Sequence, residues 1–281
     1  MRKCITPLTL FLWPWLALVS VAVQAQHKLE PLWLTPDLPT PESVLYVADK
    51  KEPYLFVALI DGQGDGVDGK GGIATLATDG TVIDKNWLTG LNAPKGMAQF
   101  KNRLYVADIT ELVVIDIKKR KVIKKIPIAD SVFLNDVTVN SSGVVFVSDT
   151  RTNKVHRIEK DEPSLYLENM TSANGLKVFG SNLIVGAGKE LLLVGADKKP
   201  LSVATGFAQG IDGIEMVARG EFIVSCWPGL VYYVYRDGKI ELLIDSQADK
   251  INTADIGYDP NTQQVFVPNF FKNSVTAYQL K

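Results

Sequence analysis

Apolar runs too short for helices recur along the chain, separated by Gly, Asp, Asn or Lys. Two of the clearest begin at Asn174-Gly175 and Asp212-Gly213. GLKVF and then SNLIVGA follow the first pair, and GIEMV and then GEFIVSC follow the second. Each unit continues with a third and a fourth run between turn-forming residues, which predicts a four-stranded antiparallel sheet.

Set in register, the units start at Glu42 (ESVLYV), Lys95 (KGMAQF), Asn135 (NDVTVN), Asn174 (NGLKVF), Asp212 (DGIEMV) and Ala254 (ADIGYD), at steps of 53, 40, 39, 38 and 42 residues. A four-stranded unit with a period near forty cannot bury both its faces alone, so copies stack about an axis. The expected fold is all-β, a six-bladed β-propeller. The last unit, Ala254 to Lys281, has room for three strands, and Leu29 to Leu34 is expected to supply its outermost one and close the ring. Pro31 is compatible with that place, because an edge strand can spare an amide donor.

The repeats fill nearly all of the 281 residues, so residues 26 to 281 count as one domain. A hydrophobic content of 46% suits a packed core, and a formal charge of -1 points away from a nucleic-acid partner. The first 25 residues read as a secretory signal: Arg2 and Lys3, an apolar stretch from Ile5 to Val23 broken by Pro7 and Pro14, then Val23-Gln24-Ala25 with cleavage after Ala25. The alternative is a retained membrane anchor. Cleavage implies a periplasmic or secreted protein, free of the membrane, that loses Cys4 and keeps Cys226 as a small buried core residue.

In a propeller the start of each inner strand lies at one mouth of the central channel. Glu42, Asn135, Asn174 and Asp212 are therefore expected to meet there, two carboxylates and two carboxamides with no sulfur or imidazole. Oxygen donors of that kind suit Ca²⁺, suit Mg²⁺ and Mn²⁺ less specifically, and disfavour Zn²⁺. Singly, each could instead serve only a turn. His27 and His156 fall at no axial position. Lys95 does, and four readings are open: orienting an anionic substrate, pairing with Asp136 or Asp255, weakening metal binding by repulsion, or reaching out to the channel mouth with its charge in water.

The ends of the second strands return to the same mouth. That brings Trp227, Phe270 and Phe271 to a rim around the site, with the loop Asp61 to Gly72 as a lid. The acids Asp61, Asp65 and Asp68 in that loop match a helical calcium loop poorly, since Gly72 stands where a bidentate Glu is needed. Asp108 and Asp149, which end second strands in YVAD and FVSD, read as turn residues that accept nearby amides.

The order of Glu42 in PESV, Asn135-Asp136 in FLND, Asn174-Gly175 in SANGL and Asp212-Gly213 in GIDGI resembles the senescence-marker-protein, gluconolactonase and regucalcin family of six-bladed propellers, across the whole mature chain. The resemblance implies that Glu42, Asn174 and Asp212 hold a divalent metal, usually calcium. It implies that Asn135 contacts metal-bound water or substrate, and that lactone hydrolysis is the activity. Asp212 is then the expected general base or nucleophile beside Asn135, with Asp136 and Asp255 behind them. Phe133 stands where sugar-lactone members tend to carry Arg, which points away from gluconolactone, and the rim of Trp227, Phe270 and Phe271 points toward an apolar or aromatic lactone or ester as the small-molecule substrate, with Lys95 and Phe133 in contact with it. Two other readings are open: a non-catalytic binding propeller with a structural ion, and a strictosidine-synthase-like propeller without metal chemistry.

Overall fold

Six four-stranded antiparallel sheets succeed one another, and within each the strands are hydrogen-bonded in chain order, apart from the last sheet, whose outer strand comes from the other end of the chain. The computed structural model describes Met1 and residues 26–281; the leader expected before Gln26, and its cleavage point, lie outside the described residues. The inner strands are Pro41–Val47, Pro94–Phe100, Leu134–Val139, Ala173–Phe179, Ile214–Ala218 and the short Gly257–Asp259. Their starts agree with the sequence register, with Asp212 and Ala254 just ahead of their strands.

The middle strands are buried on both faces, as in Leu55 to Leu59, Val145–Asp149 and Leu230–Val234, whereas the outer strand Lys121–Pro127 is largely exposed. Continuous apolar runs, without alternation, follow from that double burial. The core lies between neighbouring blades. Phe56 and Trp87 of the first pack with Leu104, Val106 and Val113 of the second, and an equivalent layer joins each following pair. Each such side chain, fully buried, contributes roughly 1.5–3 kcal/mol.

The ring closes as the sequence predicts. Leu29–Thr35 pairs antiparallel with Val275–Leu280 as the edge of the last blade, with a bulge between Pro31 and Trp33. Trp33 then reaches the first blade, where its indole N–H donates to the Thr78 carbonyl at 3.0 Å. On the axis the amide of Val44 donates to the Asp255 carbonyl at 3.1 Å, and that of Asp255 to the Glu42 carbonyl at 2.9 Å.

Four inner strands share an irregularity near the channel mouth. Each gains one residue over its partner, between Pro41 and Ser43, Pro94 and Met97, Leu134 and Val137, and Ala173 and Leu176. A bulge of this kind re-aims the side chains it spans, and these span Glu42, Lys95, Asn135 and Asn174.

Candidate functional site

Glu42, Lys95, Asn135, Asn174 and Asp212, from five successive blades, line a single cavity of about 320 Å³ at one end of the channel. Its apolar walls are Ile60, Phe133, Trp227 and Phe270, with Gly64 from the long first-blade loop. All five polar residues are buried or nearly so. The sequence register thus places the four oxygen-bearing side chains together and adds the lysine.

The hydrogen bonds of this group leave oxygens facing one another. Asn174 Nδ2 donates to Asp212 Oδ1 at 2.8 Å, and Asn135 Nδ2 donates to Thr150 Oγ1 at 3.1 Å, which in turn donates to the Ala173 carbonyl at 2.8 Å. Each amide nitrogen is therefore engaged on protein. Glu42 Oε2 and Asn174 Oδ1 are buried acceptors with no hydrogen-bond partner, an arrangement that native interiors otherwise avoid. Burial, followed by the nearby charges of Asp212 and Asp255, holds the Glu42 carboxyl well above the usual carboxylate range. Asp212 is pushed up to about 8 by burial and by the charge of Asp255.

Lys95 neither pairs with Asp136 or Asp255 nor reaches the solvent. It is 2% exposed, so it does not reach the solvent at the mouth, and among the described residues no carboxylate lies within ion-pair distance of it. Its Nζ donates to the Ala93 carbonyl at 2.9 Å and sits 4.4 Å from the centroid of the Phe133 ring. The Arg151 guanidinium is also 4.4 Å from that centroid and bonds Asp65 of the long loop at 2.8 Å. Burial pulls the Lys95 ammonium below its ordinary range.

Asp136 and Asp255 lie behind the first cavity. They line a second cavity, of about 260 Å³, farther along the channel, together with Ser43, Lys177 and Glu215, and they do not line the first. Asp136 accepts the amides of Leu176 and Val137 at 2.5 Å each, and Asp255 accepts the Ser43 hydroxyl at 2.7 Å. Burial pushes both up, Asp255 to about 7. Lys177 and Glu215 form an ion pair at 2.5 Å across blades four and five. Sequence reasoning missed that pair, although each stands three places after its blade's axial residue, a shared offset that could have signalled it. It also missed Arg151 and Thr150, whose roles depend on contacts between blades.

One sequence expectation is corrected here. Phe271 does not line the cavity; it is 66% exposed and packs edge-on against Trp227 and Phe270, because the chain turns through a 3₁₀ segment at Phe270–Lys272. The loop acids do not converge, since Asp65 is spent on Arg151 and Asp68 pairs with Lys70. Among the described residues no group of three or more His, Cys, Asp or Glu converges as a metal site; the cavity has only two carboxylates, beside carboxamides. Other readings hold. Asp108 accepts the amides of Asn92 and Ala93, Asp149 accepts those of Val132 and Phe133, and the thiol of Cys226 is buried and pushed up to about 12.

Fold and site together define a six-bladed β-propeller with a buried, oxygen-rich cavity at one end of its channel. No protein-family model and no curated protein matches the chain. Solved structures share its fold. They include a streptogramin B lyase (TM-score 0.67, 10% identity, over 91% of this chain and 98% of that one). A catalytically inactive histidine-to-alanine variant of virginiamycin B lyase from Staphylococcus aureus, with quinupristin, gives a TM-score of 0.62 at 13% identity, over 90% of this chain and 99% of that one. The selenomethionine-substituted lyase from the same organism gives 0.61 at 11% identity, over 91% and 88%. At such identities the likeness concerns the fold alone.

Proposed function

We propose that the cavity holds a divalent cation, Ca²⁺ first, and that the protein hydrolyses a lactone or ester of a small molecule there. One observation carries the reading: two buried oxygens, Glu42 Oε2 and Asn174 Oδ1, have no partner in a cavity that also contains the carboxylate of Asp212. Burying two carboxylates without compensation costs several kcal/mol per ion, and an all-oxygen donor set is what a hard cation takes. Glu42, Asn174 and Asp212 would hold the ion, with Asn135 beside them presenting the oxygen left free once its nitrogen bonds Thr150.

When bound, the cation supplies Lewis-acid polarisation of the carbonyl. The chain's own residues do the rest. Water adds to the acyl carbon, the acyl C–O bond breaks, and the proton lost by water ends on the departing alkoxide oxygen. A lactone thus gives one hydroxy acid. Asp212, the cavity carboxylate that Asn174 orients, carries that proton. Ile60, Phe133, Trp227 and Phe270 give the cavity an apolar wall that accepts an apolar or aromatic frame.

An elimination of the kind a lyase performs finds less support. The inactive relative is a histidine variant, whereas here His156 sits in the third strand of blade three and His27 stacks on Tyr233. We also propose export to the periplasm or secretion, tested by whether the mature chain starts at Gln26.

The test is thermal unfolding with excess EDTA and with Ca²⁺, followed by a lactone and aryl-ester panel with Asp212→Asn as control. A cation at about 100 times its dissociation constant adds about 2.7 kcal/mol. No shift counts against the ion; a shift without turnover on any ester or lactone assigns the cavity to binding alone.

A further inference from the structure

Lys95 has one structural hydrogen bond, to the Ala93 carbonyl, and an aromatic face in place of a counter-ion. An ammonium has three donors, and burying one without an anion is costly. Two unused donors on a side chain 2% exposed in the cavity wall therefore mark a position kept for a negative charge. Charge balance points the same way. A divalent cation offsets Glu42 and Asp212, and Arg151 is already bonded to Asp65, so the loaded cavity retains the single positive charge of Lys95.

We propose that the substrate is a monoanion, an aromatic or apolar ester or lactone bearing a free carboxylate, and that Lys95 anchors that carboxylate while its frame packs between Phe133, Trp227 and Phe270. This rests on the cation reading above, since Glu42 and Asp212, once ionised, leave the cavity net negative unless a cation offsets them. The cavity volume of about 320 Å³ lies at the small end of ligand sites, so the frame is about the size of one ring with a short side arm. Phe133 serves two ends: it closes the apolar wall and stabilises the ammonium through its face.

Calorimetric titration of the Ca²⁺-loaded protein with phenylacetate and with phenylacetamide, matched in shape and differing in charge, tests the proposal without requiring turnover. Phenylacetate is expected to bind at least tenfold tighter, and Lys95→Met to abolish that preference while Lys95→Arg keeps it. Equal binding of the two compounds by the unsubstituted protein overturns the assignment, as does a Lys95→Met protein that retains the preference. If Lys95→Met does not fold, Lys95→Gln, which keeps a polar head without the charge, takes its place and is read by the same criterion. The cation is scored separately, by Ca²⁺ and EDTA thermal shifts without organic ligand: absence of that shift overturns the cation reading, whereas a shift with no carboxylate preference overturns only this one.

Discussion

Asn174 donates its side-chain amide to Asp212 Oδ1 at 2.8 Å, so two residues 38 positions apart share one wall of the cavity. The nitrogen must face Asp212, because two oxygens there would repel. That orientation leaves Asn174 Oδ1 without a partner, as Glu42 Oε2 also is. The cavity therefore presents an electron-rich surface, which is the basis of the proposed cation site.

Removing the charge should remove both the need and the response. Glu42→Gln or Asp212→Asn is expected to raise the stability of the metal-free protein at pH 8.5 by up to several kcal/mol, the effective penalty of one uncompensated buried ion. Either change should abolish the Ca²⁺-dependent shift. Denaturant titrations in EDTA and in Ca²⁺ measure both effects, and a substituted protein that still responds fully to Ca²⁺ contradicts the assignment.

The pH dependence of the metal-free protein has a definite sign. Asp212 and Asp255 have folded values of about 8 and about 7 against 3.8 unfolded, so the folded state binds these protons more tightly. Their stabilisation is complete below about pH 4 and is lost as pH rises through 7 and 8. The Tm in EDTA should fall between pH 5 and 8.5, and the Ca²⁺ increment should grow over the same interval. A flat or rising Tm in EDTA would show that these carboxyls are not protonated in the fold.

Gly175 is required for space. A Cβ there would lie 2.1 Å from the Asp212 carbonyl of the next blade, whereas at Gly210 the nearest atom is 3.8 Å away. Gly175→Ala should cost about 3 kcal/mol, at the upper end for overpacking, and shift Asp212 enough to weaken the Ca²⁺ response. Gly210→Ala serves as the control and should change stability little. Chemical unfolding of the two proteins side by side checks the contrast.

The bond between Asp65 and Arg151 ties the long loop to blade three, and both side chains are 50% exposed. Its contribution to global stability is small, within about 1 kcal/mol, but it fixes the segment that carries Gly64 over the cavity. Arg151→Met should leave Tm nearly unchanged while protease cleavage between residues 61 and 72 accelerates several-fold. An unchanged cleavage rate would mean that the loop is held by other contacts.

The ring, its six units, the closure by the N-terminal strand and the five polar residues at the mouth were legible in the sequence. A period near forty dictates how many sheets must stack, and apolar runs without alternation mark strands buried on both faces. The direction of each side chain at the mouth was decided only in the folded ring. The bulges that span Glu42, Lys95, Asn135 and Asn174 break the two-residue alternation where the site is built, so strand periodicity no longer says which way a residue points. For that reason the turn of Lys95 onto Phe133, the depth of Asp136 and Asp255, the exposure of Phe271 and the Lys177–Glu215 pair emerge only when neighbouring blades supply the contacts.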